Sequence, residues 1–258
     1  MIISALILLG FITSTYGTII GAGGGFLFVP VLLMFYDISP AVASATGLAV
    51  VFLNAAAGLP ILLKQQRVFL WAGAILALGA FPGTFIGAGL VKYSSDTVFY
   101  SLFAILLIGL GIFLSLKKPS RTEKAAATNE QQEKQVGPTI NLWNLLGIGG
   151  LLGIVSSFFG IGGGWLLVPI LIYGFRFSIK TATATSIFSL ALYSLVGLLP
   201  SIADGLVQWP IVIWSGIGVL VGAQAGAILS KKMKGVSINR LLSGLVIVMG
   251  ISMIFQIP

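Results

Sequence analysis

Gly21-Ala22-Gly23-Gly24-Gly25, followed by Phe26-Leu27-Phe28-Val29-Pro30, is the stretch that decides the fold. It returns as Gly160-Ile161-Gly162-Gly163-Gly164, followed by Trp165-Leu166-Leu167-Val168-Pro169, at an offset of 139 residues (from 21 to 160). A glycine run between apolar segments breaks a helix, because glycine loses the most backbone freedom on ordering. The apolar residues behind each run start a new helix. Its first N–H groups have no partner inside the helix and carry the positive end of its dipole. Such a start is a natural anion site. The stretch therefore reads as two helix starts that meet inside a membrane with a small anion between them.

The rest of the composition fits that setting. Of 258 residues, 57% are hydrophobic and 8% charged, and the mean hydropathy is +1.10. A soluble domain carries about 25% charged residues, so the chain reads as an integral membrane protein in contact with the lipid bilayer. The apolar runs do not alternate, which favours a helix bundle over a barrel. There is no cysteine and no histidine. That removes thiolate and imidazole chemistry, and no cofactor or metal site is expected. The net charge of +8 is no nucleic-acid signal, because the cations sit in short loops beside apolar spans. The apolar start lacks a basic leader and reads as a retained segment.

The expected fold is an all-α polytopic membrane protein of about 8–10 membrane segments. It divides into a membrane repeat over 1–116, a polar linker over 117–138 and a second membrane repeat over 139–258. Each repeat holds one half-length helix behind its glycines and three or four full spans. The same register carries other matches. Ala43-Ser44-Ala45-Thr46 pairs with Ala182-Thr183-Ala184-Thr185, and Gly79, Gly83 and Gly87 pair with Gly218, Gly222 and Gly226. Duplicated halves are the layout of many secondary transporters.

The cations choose between parallel and inverted halves. If the second half is inverted, Lys64, Arg67, the linker cations, Arg176, Lys180, Lys231, Lys232 and Lys234 share one side, and Lys92 stays on the other. Parallel halves would nearly cancel that bias. The positive-inside rule then puts the linker in the cytoplasm and both termini outside. Two half-length helices entering from opposite faces would meet near the midplane, where irregular backbone survives only if buried in protein or lining a wet cavity.

Gly23, Gly24, Gly25, Gly162, Gly163 and Gly164 offer backbone N–H donors with no side chain in the way. The alternative is that these glycines serve close packing alone. Ser44, Thr46, Thr183 and Thr185 either complete an anion's shell or bond back to their own helix. Asn54, Tyr193 and Gln224, polar groups within spans, either line a pathway or bond a neighbouring helix. Trp165, directly behind the second run, is a candidate wall of the site, whereas Trp71, Trp143 and Trp209 read as interfacial anchors. The spaced glycines at 79–87 and 218–226 read as helix-packing faces. No Asp, Glu, Lys or Arg falls in the middle of any span, so a carboxylate proton relay is not expected.

At the duplicated Gly-x-Gly-Gly-Gly-x4-Pro, supported by Ala-Ser/Thr-Ala-Thr and the spaced glycines, the chain resembles the sulfite exporter TauE/SafE family of membrane permeases. The resemblance covers both halves and leaves out the linker. It implies transport of small sulfur-containing or organic anions, such as sulfite and sulfonates, across the cell inner membrane. The expected activity is therefore export of a small anion by alternating access. A passive anion channel or an uptake permease on the same scaffold is the alternative. An enzyme would find few catalytic groups. A homodimer is compatible with this reading.

Overall fold

Within the residues described, the apolar stretches are all helices. The computed structural model describes residues 2–36, 38–116, 142–233, 244 and 247–255. Asp37, the linker over 117–138, Lys234 and much of the last expected span lie outside the described residues. The first half has α1 (Ile2–Ile20), the short α2 (Gly25–Phe35), α3 (Pro40–Lys64), α4 (Leu70–Tyr93) and α5 (Asp96–Leu116). The second has α6 (Leu142–Phe159), the short α7 (Gly164–Pro169) running into a π turn over Ile170–Gly174, α8 (Ile179–Ala203) and α9 (Trp209–Lys232). Residues 247–254 are helical as well. Among the described residues there is no strand, seven helices are long and apolar enough to cross a membrane, and two are shorter. The 11 residues of α2 span roughly 16 Å, about half a hydrocarbon core.

The spaced glycines set the packing, and they do so across the halves. Gly79, Gly83 and Gly87 of α4 lie against the carbonyl oxygens of Leu146, Gly150 and Ile154 in α6. Gly218, Gly222 and Gly226 of α9 lie in the same way against Ile7, Phe11 and Thr15 of α1. With no Cβ in between, the backbones approach closely, which is how helices associate where water supplies no driving force. Both sets of contacts rise together along the two helices, so α4 runs parallel to α6, and α9 to α1. Each half thus lends its fourth helix to the first helix of the other.

Loop contacts show that the halves are inverted. Arg67, just past the end of α3, donates to the Lys180 carbonyl at the start of α8 (3.1 Å) and to Ser230 near the end of α9 (3.2 Å). Lys92 at the end of α4 pairs with Asp204 just past α8. Therefore α3 ends where α8 begins, and these equivalent helices run in opposite directions. Lys64, Arg67, Lys180, Lys231 and Lys232 gather at one end of the bundle, and Lys92 lies at the other, beside an aspartate.

Candidate functional site

The glycine turns form because the chain must leave one helix and start another within four residues. Gly21, Gly23 and Gly24 have φ of 85°, 81° and 79°, and Gly160, Gly162 and Gly163 have 67°, 81° and 55°. Side chains rarely tolerate that left-handed region. The N–H groups of Gly21, Ala22 and Gly23 all converge on the Gly17 carbonyl, at 2.9, 2.8 and 3.2 Å, and close α1. Gly24 then caps α2 without a side chain, and Gly163 does the same for α7. The N–H groups of Leu27 and Phe28 bond to Gly24 O, and those of Leu166 and Leu167 to Gly163 O. Ahead of these, the N–H groups of Gly25, Phe26, Gly164 and Trp165 make no hydrogen bond among the described residues.

The two turns touch. A Cβ on Gly25 would stand 2.9 Å from Ile161 Cα and 3.1 Å from Gly160 O. One on Gly164 would stand 2.5 Å from Gly21 O and 3.0 Å from Ala22 Cα. Two side chains that the sequence reading did not single out cover the tips. A Cβ on Gly23 would lie 3.1 Å from both Val51 Cγ1 and Leu190 Cδ1, and one on Gly162 would lie 2.5 Å from Val51 Cγ1 and 3.0 Å from Leu190 Cδ2. Both residues are fully buried, and they occupy equivalent positions, 51 and 190, in the two halves. The space between the tips is thus closed by a symmetric apolar pair. An open cleft of about 630 Å³ lies elsewhere, along α5 and α7, with Ile105, Phe113 and Leu166 in its walls.

The four hydroxyl residues separate into two pairs. Thr183 sits on the first glycine turn, with its Cα 2.7 Å from where a Gly21 Cβ would be, and Ser44 sits likewise on Gly160. Each turn is therefore flanked by the other half. Ser44 Oγ donates to Phe158 O (2.9 Å), and Thr183 Oγ1 donates back to Lys180 O (3.0 Å). Thr46 and Thr185 do different work. Thr46 Oγ1 accepts the Gln208 N–H (3.1 Å) and Thr185 Oγ1 accepts the Phe69 N–H (2.9 Å), so they tie down the starts of α9 and α4. Ser186, which the sequence reading missed, donates to Gly21 O (2.7 Å).

Asn54 and Tyr193 are buried inside the bundle. Gln224 is exposed on α9. Trp165 is fully buried in one cluster with Ala22, Phe26, Phe159 and Ile161, so it packs between the two turns. Trp165 Nε1 and the Ser157 hydroxyl are buried without a hydrogen-bond partner among the described residues. Among the described residues, no group of acidic, His or Cys side chains could hold a metal ion.

Residues 6–253 match the sequence profile of the family described as Sulfite exporter TauE/SafE. The chain belongs to the sulfite exporter TauE/SafE family. Among its TauE/SafE-like relatives, Probable membrane transporter protein YunE of Bacillus subtilis is 30% identical, over 97% of this chain and 97% of its own length. A probable membrane transporter protein of Methanocaldococcus jannaschii is 28% identical, over 98% and 96%. One of Xylella fastidiosa is 27% identical, over 92% and 89%. No solved structure matches the chain. Family, relatives and the seven apolar helices together make this a multi-pass membrane transporter of the TauE/SafE type.

Proposed function

We propose that the protein exports a small sulfur-containing or organic anion, such as sulfite or an organosulfonate, across the cell inner membrane. The observation that carries this reading is the meeting of two glycine-turn helix starts at the junction of two inverted halves, with unbonded N–H groups on both. Gly23, Gly24 and Gly25 bind the anion from one side and Gly162, Gly163 and Gly164 from the other, with Ser44 and Thr183 beside them. Converging dipole ends and N–H donors suit negative charge. Val51 and Leu190 close the site, and alternating access releases them as one repeat moves against the other around the turns. The repeats are residues 1–116 and 139–258, joined by a cytoplasmic linker, with both termini outside. A membrane potential that is negative inside drives an anion outward, by about 2.3 kcal/mol per charge per 100 mV, so export needs no ionisable coupling residue.

The test is flux of sulfite and methanesulfonate from proteoliposomes under an imposed voltage. Saturable efflux with counter-exchange supports the carrier. Unsaturating, very fast flux points to a channel, and no flux or binding of any anion sinks the reading.

A further inference from the structure

The α3–α4 and α8–α9 loops hold equivalent positions at opposite ends of the bundle, and each reaches into the other half. At the basic end, Gln65 Nε2 donates to Ala227 O (3.1 Å), and Arg67 donates to Gln65 Oε1 (2.8 Å), to Ser230 Oγ and to Lys180 O. At the other end, Asp204 pairs with Lys92. Asp204 is the counterpart of Gln65, and Lys92 that of Lys231, at the same offset of 139 residues. One end is therefore tied by several hydrogen bonds, and the other by an ion pair whose side chains are 34% and 35% exposed.

Behind each tie a seam of small residues leads inward. On α4, Ala88 and Thr84 precede Lys92 on one helix face, since positions four apart lie one above the other. On α8, Ser201 and Gly197 precede Asp204 in the same way. The two rows meet: a Cβ on Gly197 would stand 3.1 Å from Thr84 Cβ and 2.6 Å from Ser157 Oγ. Ser157 lies in the last turn of α6, just ahead of Gly160, so this seam ends at the second glycine turn. Behind the tie at the basic end, the counterparts are Ala227, Ala223, Gly58 and Thr18. A Cβ on Gly58 would stand 3.2 Å from Thr18 Cγ2 and 3.6 Å from Ala223 O. Thr18 lies in the last turn of α1, so that seam ends at the first glycine turn.

We infer that the two seams are the two half-routes to the glycine-turn site, and that the Lys92–Asp204 pair is a releasable latch on the one between α4 and α8. The inference rests on the transporter reading above and adds the route and its closure. An exposed ion pair opens at little cost and weakens with salt. Several hydrogen bonds, three of them from a guanidinium, hold more firmly. The molecule therefore opens more readily at the Lys92 end. The buried hydroxyls agree. Thr18 Oγ1 bonds to the Asn54 amide (2.9 Å), whereas that of Ser157 has no partner among the described residues. Water or an anion entering the α4–α8 seam satisfies it.

The chain has no cysteine, so single thiols report on each seam in the purified full chain in detergent, where both ends meet the reagent. Ala88→Cys stands behind the latch, at a position 4% exposed. Adding Asp204→Asn should speed its reaction with a charged methanethiosulfonate about two- to fivefold, as expected on losing an exposed pair worth up to about 1 kcal/mol. Lys92→Asp should speed it further, because two carboxylates then face each other. Lys92→Asp combined with Asp204→Lys should return it to within about twofold of the single-cysteine protein. Salt at about 1 M should quicken the reaction where the pair is intact and not in Asp204→Asn. Ala227→Cys, on the other seam, should not speed up in any of these. Thermal unfolding is the folding control, and Ser201→Cys takes the place of Ala88→Cys if that variant does not fold. An unchanged rate at Ala88→Cys in Asp204→Asn and Lys92→Asp would overturn the latch. Equal acceleration at Ala227→Cys would mean general loosening and overturn it too. Methanesulfonate flux in proteoliposomes separates the two readings. Flux with an unresponsive Ala88→Cys fails this inference alone, and absence of any anion flux fails the transporter reading and the route with it.

Discussion

The glycine turns concentrate the constraints on single residues. Gly160 has a φ of 67°, and a Cβ there would collide with the Ser44 backbone. Gly205 has the same φ of 67° but open space around it. Gly205→Ala should therefore lose only the backbone term, about 1–2 kcal/mol. Gly160→Ala adds a clash against backbone that cannot yield, and it should unfold at a clearly lower temperature in detergent. Equal melting temperatures would show that the turn is not held against Ser44. The sequence marks these breaks through glycine clustering alone. Val51 and Leu190 were not legible, because a branched apolar residue in an apolar span looks like any other until its neighbours are known. Thr46 and Thr185 were legible as a repeated pair but not as caps, since their partners at Gln208 and Phe69 lie in the other half. If Val51 and Leu190 close the site, Val51→Ala with Leu190→Ala should raise anion flux through a folded protein. Unchanged flux would move the gate elsewhere.

At the scale of elements, the packing glycines were readable and their partners were not. Four-residue spacing of small residues announces a face that another helix approaches closely. Nothing in Gly79, Gly83 and Gly87 says that the approaching helix is α6 rather than a neighbour in the same half. That choice is made by inversion, which brings the start of the second half beside the end of the first. Filling such a face should therefore strain both halves. Gly83→Leu and Gly222→Leu place a side chain against Gly150 O and Phe11 O, and overpacking of this kind costs about 1–3 kcal/mol. Gly89 has nothing within 4 Å of its Cβ position, so Gly89→Leu should be neutral or gain a few tenths from helix propensity, about 0.8 kcal/mol at most. Thermal unfolding of the three variants checks the order. The short helices also differ in a way spacing did not foretell: α2 keeps its α form past Pro30, whereas α7 widens into a π turn after Pro169.

For the whole molecule, the deciding property is that equivalent helices run in opposite directions, which lets two glycine turns meet from opposite faces. Charge placed beside apolar spans carried that information in the sequence, because cations resist translocation and mark one side. The inverted contacts put Lys64 and Tyr93 at opposite ends of the bundle, on the two ends of α3 and α4. Both are exposed, Tyr93 at 91%. The chain contains no cysteine, so single thiols report on topology without background. With the basic end in the cytoplasm, Tyr93→Cys should react with a membrane-impermeant maleimide on intact cells, and Lys64→Cys only after the cells are opened. Reaction of both on intact cells would place the two ends of the bundle on one side and remove the geometry on which a midplane site depends. The reverse pattern would keep the inversion and turn the molecule over. The linker would then lie outside and the membrane potential would act on a site approached from the other face.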